Sequence, residues 1–241
     1  MSPELLIVVA GAFLAAFAVG LAGFADALIA AAVWLHVLPP LQAVPLILAT
    51  GMVIHLLSVA YLRRHISFDL LWPFLIGGVI GVPLGTWMLR HIEPEPFRVV
   101  VGLVLVGYCL FALLHRRVQA VLTGSRPADG AVGLIGGVLG GFAGLSGVLP
   151  TVWAGMRGWR KDTQRAVYQP FIFVMHGMAL AWLGAGGVLD TTLVNRFLWC
   201  LPVLILGTWL GLKLYRRIDE QQFRRIVLGT LLISGAALVV Y

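Results

Sequence analysis

The sequence predicts an all-α polytopic membrane protein of about eight transmembrane helices. These are expected to form two homologous four-helix repeats, with a broken helix at the first span of each repeat. Of the 241 residues, 60% are apolar and 11% are charged, and the mean hydropathy is +0.98. Soluble domains contain roughly 45–50% apolar and about 25% charged residues, so the composition excludes a soluble globular protein.

Charge gaps and turn residues delimit eight apolar segments, each close to the roughly 20 residues that a bilayer-spanning helix requires. Their predicted bounds are 5–25, 41–62, 70–89, 97–114, 131–155, 166–186, 194–215 and 224–241. A polar linker is expected at 115–130, where Gly124, Pro127 and Gly130 are turn formers. It separates a first transmembrane repeat, 1–114, from a second, 131–241.

The two halves of the chain share a sequence pattern. A shift of 121 residues pairs Gly20 with Gly141, Gly23 with Gly144 and His55 with His176. A shift of 126 matches residues 81–98 with residues 207–224, including Arg90 with Arg216, Phe97 with Phe223 and Arg98 with Arg224. Repeats of this kind, with a binding site at the repeat interface, are common in secondary transporters.

Basic residues outnumber acidic ones, 17 to 10, for a net charge of +7. They flank the apolar runs, where cations anchor helices at the membrane surface, so nucleic acid is not an expected partner. With eight continuous spans and both termini outside, 11 Lys and Arg lie in inside loops and six in outside loops. A re-entrant segment between residues 24 and 38 would change this count, which leaves an inverted repeat open.

Asp26 is the only acidic or basic side chain, His apart, from Leu5 to Leu62. A carboxylate at that depth costs about 2.5–3.5 kcal/mol on insertion scales, so it should face protein or water. One interpretation makes Asp26 a proton-coupling group. The other makes it the N-cap of a half-helix that starts near Ala27.

Residues 136–150 are rich in glycine. Glycines at four-residue spacing favour close helix packing, whereas Ser146, Gly147 and Pro150 indicate an interruption whose exposed N–H groups could hold an anion. The candidate substrate-binding residues are Ser146, Gly147, Thr151, His55, His176, Gln169, Tyr168 and Thr50. For each histidine, the alternative is a packed, hydrogen-bonded residue.

A dense basic cluster follows the fifth apolar segment, and its members are Arg157, Arg160, Lys161 and Arg165. It is either a cytoplasmic funnel that concentrates an anionic substrate or a binding surface for lipid headgroups. Cys109 and Cys200 lie inside apolar runs without the spacing of metal ligands. No metal and no cofactor are therefore expected.

Three motifs resemble the sulfite exporter TauE/SafE family. They are GGFAGLSGVLPTVW at 140–153, RGWRKDTQRAVYQP at 157–170, and the repeated pattern G-x3-G-x4-R-x-I-[DE]-x3-FR, and the likeness extends from about Phe13 to Val240. The resemblance implies a bacterial inner-membrane permease, not an enzyme, that moves sulfite or organosulfonates as a secondary transporter. The first half departs from the family pattern, with Phe24 and Asp26 in place of glycine and no proline before Pro39.

The expected partners are a small sulfur-containing anion, protons and membrane lipids. Glycine faces that favour close packing also make a homodimer plausible. An anion channel and a non-transporting membrane assembly subunit stay open as alternatives. A membrane enzyme is not expected, because the His and Asp residues are scattered along the apolar segments and not clustered at one membrane face.

Overall fold

The computed structural model describes residues 2–22, 25–62, 66–114, 125–214 and 220–240. Within these ranges the chain is helical apart from short connections, and no residue lies in a strand. The helices are α1 (Pro3–Ala22), α2 (Asp26–Trp34), α3 (Pro40–Leu62), α4 (Phe68–His91), α5 (Pro94–Leu114), α6 (Arg126–Ala143), α7 (Val148–Met156), α8 (Lys161–Ala185), α9 (Thr191–Leu214) and α10 (Glu220–Val240).

Six helices in the described part of the chain are long and apolar enough to cross a membrane, namely α1, α3, α4, α5, α8 and α9. Their exposed surfaces carry large apolar side chains such as Ile80, Leu103 and Trp209, which lipid would cover. The all-α membrane class predicted from composition is therefore confirmed. The count of eight spans and the division into two repeats stay predictions.

The fifth apolar segment is interrupted, as its glycine content suggested, and a separate short helix follows the first apolar segment. α1 ends at Ala22 and α2 begins at Asp26, while α6 ends at Ala143 and α7 begins at Val148. Gly144 stops α6 because it adopts a left-handed conformation, with φ of 75°. Its amide donates to Gly140 O at 2.8 Å and the Leu145 amide donates to Leu139 O at 3.1 Å, so two of the last carbonyls of α6 are satisfied by the turn that follows.

Both short helices turn back along the long helix that precedes them. Trp153 near the end of α7 donates from Nε1 to Oδ1 of Asp129, in the first turn of α6, at 2.7 Å. Trp34 at the end of α2 donates from Nε1 to Val8 O, near the start of α1, at 3.1 Å. The pairs α1–α2 and α6–α7 are therefore helical hairpins, so the segment predicted as one span at 131–155 reverses direction near its middle.

The start of α6 lies within the stretch predicted as a linker. Ser125 is the N-cap, and its Oγ accepts a hydrogen bond from the Ala128 amide at 3.4 Å. Pro127 fits because the first helical positions need no N–H. Residues 125–130 therefore cap and begin a helix, and residues 115–124 of the predicted linker lie outside the described residues.

The chain divides into two compact units. Unit 1 comprises Met1–Thr50, Ile92–Arg116 and Leu189–Tyr241, and unit 2 comprises Gly51–His91 and Arg117–Val188. In unit 1, α9 packs along α1, and α10 packs along α5. In unit 2, α4 packs along α6 and also contacts α8.

Glycines let α4 and α6 of unit 2 pack so closely that their backbone atoms are in contact. A Cβ built on Gly81 of α4 would lie 2.2 Å from Leu134 O of α6, and one built on Gly137 of α6 would lie 2.4 Å from Gly78 O of α4. Such contacts leave no room for a side chain. Unit 1 uses the same device, since a Cβ on Gly211 of α9 would lie 2.4 Å from Phe17 O of α1.

Replacing Gly81 by Ala is expected to lower the melting temperature of the detergent-solubilised protein. The new Cβ would overlap the Leu134 carbonyl oxygen and the Val138 nitrogen, and overpacking of this kind costs about 1–3 kcal/mol. Gly107→Ala in α5 is the control, because a Cβ there meets no atom within 4 Å. It should leave the melting temperature unchanged or raise it, and equal melting of the two variants would contradict the packing argument.

Candidate functional site

The turn between α6 and α7 holds a buried hydroxyl that lacks a partner. Ser146 is fully buried, and its Oγ has no hydrogen-bond partner among the described residues. Gly140 makes room for it, because a Cβ at that position would lie 2.1 Å from Ser146 Oγ. A buried hydroxyl without a partner costs free energy, roughly 1–3 kcal/mol, and therefore calls for an explanation such as a ligand.

The first turn of α7 begins beside Ser146. The Val148 amide donates to Leu145 O at 3.3 Å and the Thr151 amide donates to Gly147 O at 3.0 Å, while Pro150 has no N–H. In the described structure no backbone carbonyl accepts from the amides of Gly147 and Leu149. These free N–H groups and the positive end of the helix dipole favour an anion at this point.

Thr151 is less suited to bind an anion than its position suggested. Its hydroxyl donates to Gly147 O at 2.5 Å, so its one proton is already used within α7. Thr50 is in the same situation, because its hydroxyl lies 2.8 Å from Leu46 O and 3.2 Å from Ile47 O. Thr50 belongs to unit 1, whereas the other candidate substrate-binding residues belong to unit 2.

α8 presents a polar face to the interruption. Gln169 and His176 are seven residues apart, which places them on the same side of a helix, and both are buried. His176 Nε2 donates to Gly144 O at 3.0 Å and thereby ties α8 to the end of α6. Gln169 Oε1 accepts a hydrogen bond from Nδ1 of His55 in α3.

The two histidines that the 121-residue shift pairs in the sequence lie side by side. The ring centroids of His55 and His176 are 5.7 Å apart and the rings are nearly perpendicular, at 80°. Each ring donates to a protein oxygen, as the packed, hydrogen-bonded interpretation predicted. The pair therefore supports the wall around the interruption, and Tyr168, also buried, occupies the same stretch of α8.

Asp26 occupies the corresponding position at the start of α2 in unit 1. It is 7% exposed and is the first residue of the helix, one residue earlier than predicted. The N-cap is Ala25, which makes no side-chain cap bond and has a left-handed φ of 80°. The interpretation of Asp26 as the N-cap is therefore wrong, and the backbone at Ala25 is strained, since such conformations are rare for residues other than glycine.

One member of the basic cluster forms a buried ion pair. Arg157 donates from Nη1 to Oδ1 of Asp129 at 2.7 Å, and its guanidinium lies 4.9 Å from the centroid of the Trp159 ring. Sequence reasoning missed Asp129, which it assigned to the linker. Because Asp129 Oδ1 also accepts from Trp153, one carboxylate oxygen joins the start of α6 to the end of α7.

The other basic residues lie close by along the chain. Arg160 is exposed at the N-cap of α8, and Arg165 is half-buried within α8. Lys161 is the first residue of α8, and its side chain lies outside the described part of the structure. Among the described residues, no group of three or more His, Cys, Asp or Glu could hold a metal ion.

Comparison with known proteins identifies the family. The sulfite exporter TauE/SafE family profile matches residues 8–238, which is nearly the whole chain. No curated protein and no solved structure matches it. This chain, with its interrupted helices and apolar spans, belongs to the sulfite exporter TauE/SafE family, a family of membrane transporters.

Proposed function

We propose that this protein is a secondary transporter that carries sulfite or organosulfonates across the bacterial inner membrane, and that it binds the anion where α6 and α7 meet. The partnerless Ser146 hydroxyl carries this proposal. A sulfonate stays charged at physiological pH, so a site inside a membrane must replace its water with hydrogen-bond donors. Ser146 and the free amides of the α7 first turn supply such donors in one place.

The remaining candidates take supporting roles at this site. Through its bond to Gly144 O, His176 holds the turn that presents Ser146. Gln169, joined to His55, fills the wall on the α8 side, and Tyr168 is the buried residue that precedes it in α8. Arg160, Lys161 and Arg165 raise the local concentration of anions where α8 begins, while Arg157 is held by Asp129.

Replacing Ser146 by Ala is expected to abolish stabilisation by sulfite without lowering the stability of the free protein. Removing a buried hydroxyl that lacks a partner is nearly neutral, whereas a ligand raises the melting temperature by mass action. Thermal melting with increasing sulfite measures both effects. Thr208→Val is the control, because Thr208 Oγ1 is also buried and has no hydrogen-bond partner within the described ranges, but it lies in unit 1. An unchanged sulfite response in Ser146→Ala would contradict the site.

The two hairpins bear on how the chain crosses the membrane. α2 and α7 have nine residues each, or about 14 Å, less than half of a hydrocarbon layer about 30 Å thick. Each turns back along its partner, so each hairpin returns to the face that it entered. Between the hairpins lie three crossing helices, α3, α4 and α5, and an odd number of crossings makes the hairpins enter from opposite faces. The duplicated halves are then inverted repeats.

The positive-inside rule supports this topology. We take α3, α4, α5, α8 and α9 as crossings, together with the 21-residue α10 in place of α1, because α1 belongs to a hairpin. Both termini are then outside, as the eight-span count also indicated. The distribution of charge becomes sharper, because only three of the 17 Lys and Arg lie on the outer side, namely Arg90, Arg98 and Arg196. The other 14 lie on the inner side, where cytoplasmic loops are expected to be basic.

Cysteine accessibility separates the two topologies. In a Cys109→Ser, Cys200→Ser background, Glu93→Cys should react with a membrane-impermeant maleimide added outside intact cells, and Ser125→Cys should react only after permeabilisation. Eight continuous spans predict the reverse for both positions. Asp190→Cys and Asp162→Cys are controls, because both topologies place position 190 outside and position 162 inside. Labelling of Ser125→Cys in intact cells would overturn the hairpin topology.

Asp26 is the proposed proton-coupling residue. Binding one proton with a monovalent anion leaves no net charge to move through the membrane, which removes the electrostatic cost of crossing. Asp26 is buried and lies at the start of a short re-entrant helix, the kind of element that carries coupling groups in transporters.

The proposed lipid contacts involve pairs such as Arg126 and Trp72, whose guanidinium and ring centroid lie 5.5 Å apart at a helix end.

Asp26→Asn is expected to lose sulfite accumulation driven by a pH gradient while keeping sulfite counterflow in proteoliposomes. Counterflow needs only a working anion site, whereas accumulation needs the proton. Glu93→Gln, which removes an exposed carboxylate, should retain both activities. Full accumulation by Asp26→Asn would remove Asp26 from the coupling mechanism, and a saturating counterflow signal would exclude a simple channel.

A further inference from the structure

An apolar side chain lies between the polar residues of the α8 face. Ile172 is three residues after Gln169 and four before His176, so the three share one side of the helix. Ile172 is 6% exposed and is therefore held in place by its neighbours. In a stretch that otherwise offers polar groups to the interruption, it is the only one of the three that cannot hydrogen-bond.

Ile172 lies against the first turn of α7. A Cβ built on Gly147 would be 2.5 Å from Ile172 Cδ1 and 3.2 Å from Ile172 Cγ1. Since a Cβ points toward the N-terminal end of its helix, the Ile172 side chain occupies the space beside the free amides of that turn. Gly147 has no side chain there because Ile172 already fills the position.

The anion site therefore has unlike walls. Ser146 and the amides of Gly147 and Leu149 provide donors, whereas Ile172 provides a branched hydrocarbon that cannot solvate charge. The donors at one end of the site hold the oxyanion group of the ligand. The volume that Ile172 occupies limits the size of the substituent that this oxyanion group can carry. A substituent carried on the sulfur would have to displace Cδ1 or Cγ1 from a packed position.

We propose that Ile172 is a specificity-determining residue that restricts the site to compact sulfur oxyanions such as sulfite, and that it disfavours organosulfonates with a longer carbon chain. This inference rests on the anion site of the proposed function. Excluding a single methylene from a packed apolar wall changes affinity by roughly 10- to 200-fold. A branched side chain at this position is thus sufficient to separate sulfite from an alkylsulfonate of three carbons.

A chain-length series tests the inference. Thermal melting and competition with sulfite uptake would be measured for sulfite, methanesulfonate, ethanesulfonate and propanesulfonate. In the unsubstituted protein, affinity should fall along the series, by roughly tenfold or more for propanesulfonate relative to sulfite. Ile172→Val removes only Cδ1, the atom nearest Gly147. In this variant the affinity should begin to fall only at a longer alkyl chain of the sulfonate. Ile172→Ala should weaken the discrimination between sulfite and propanesulfonate at least tenfold.

Controls separate size from folding. Val174→Ala changes a residue of α8 that is 40% exposed on the opposite side of the helix, and it should leave the series unchanged. If Ile172→Ala fails to fold, the affinities of Ile172→Val and of the unsubstituted protein for the sulfonate series still test the role of Ile172. Equal affinity for sulfite and propanesulfonate, or a ratio that Ile172→Val leaves unchanged while sulfite still binds, would overturn the role of Ile172. Absence of any response to sulfite would instead overturn the proposed function and this inference with it.

Discussion

A helix that ends inside a membrane must satisfy its own freed backbone groups, because lipid offers no hydrogen bonds. At the end of α6 the carbonyls of Leu139 and Gly140 accept from the following turn, and the Gly144 carbonyl accepts from His176. The start of α7 has no such complement for the amides of Gly147 and Leu149 in the described structure. The proposed anion site depends on that asymmetry, with carbonyls satisfied and amides left over.

Local sequence was sufficient to predict the interruption itself. Gly144, Ser146 and Pro150 each weaken a helix for a separate physical reason, so the break follows from neighbours along the chain. The equivalence of His55 and His176 also came from the sequence, and the structure places their rings together. By contrast, the sequence could not indicate which protein oxygens these rings would bond.

The reversal of α7 was not predictable from local pattern, because it depends on contacts between residues more than 20 positions apart. Asp129 looked like part of a polar linker until its carboxylate was seen to accept from Trp153 and Arg157. Ile172 looked like one more apolar residue in an apolar helix, and only its position over Gly147 distinguishes it. Where polarity is almost uniform, hydropathy cannot say which apolar residue faces a site.

The glycines of α6 leave the helix bare on two sides. Gly133, Gly137 and Gly141 meet the backbone of α4, and Gly136 and Gly140 meet Ser146. A helix without side chains on these surfaces has its position set by its neighbours, so a displacement of α4 would pass directly to the Ser146 turn. One helix thus links α4 to the Ser146 turn through contacts in which the α6 side contributes no side chain.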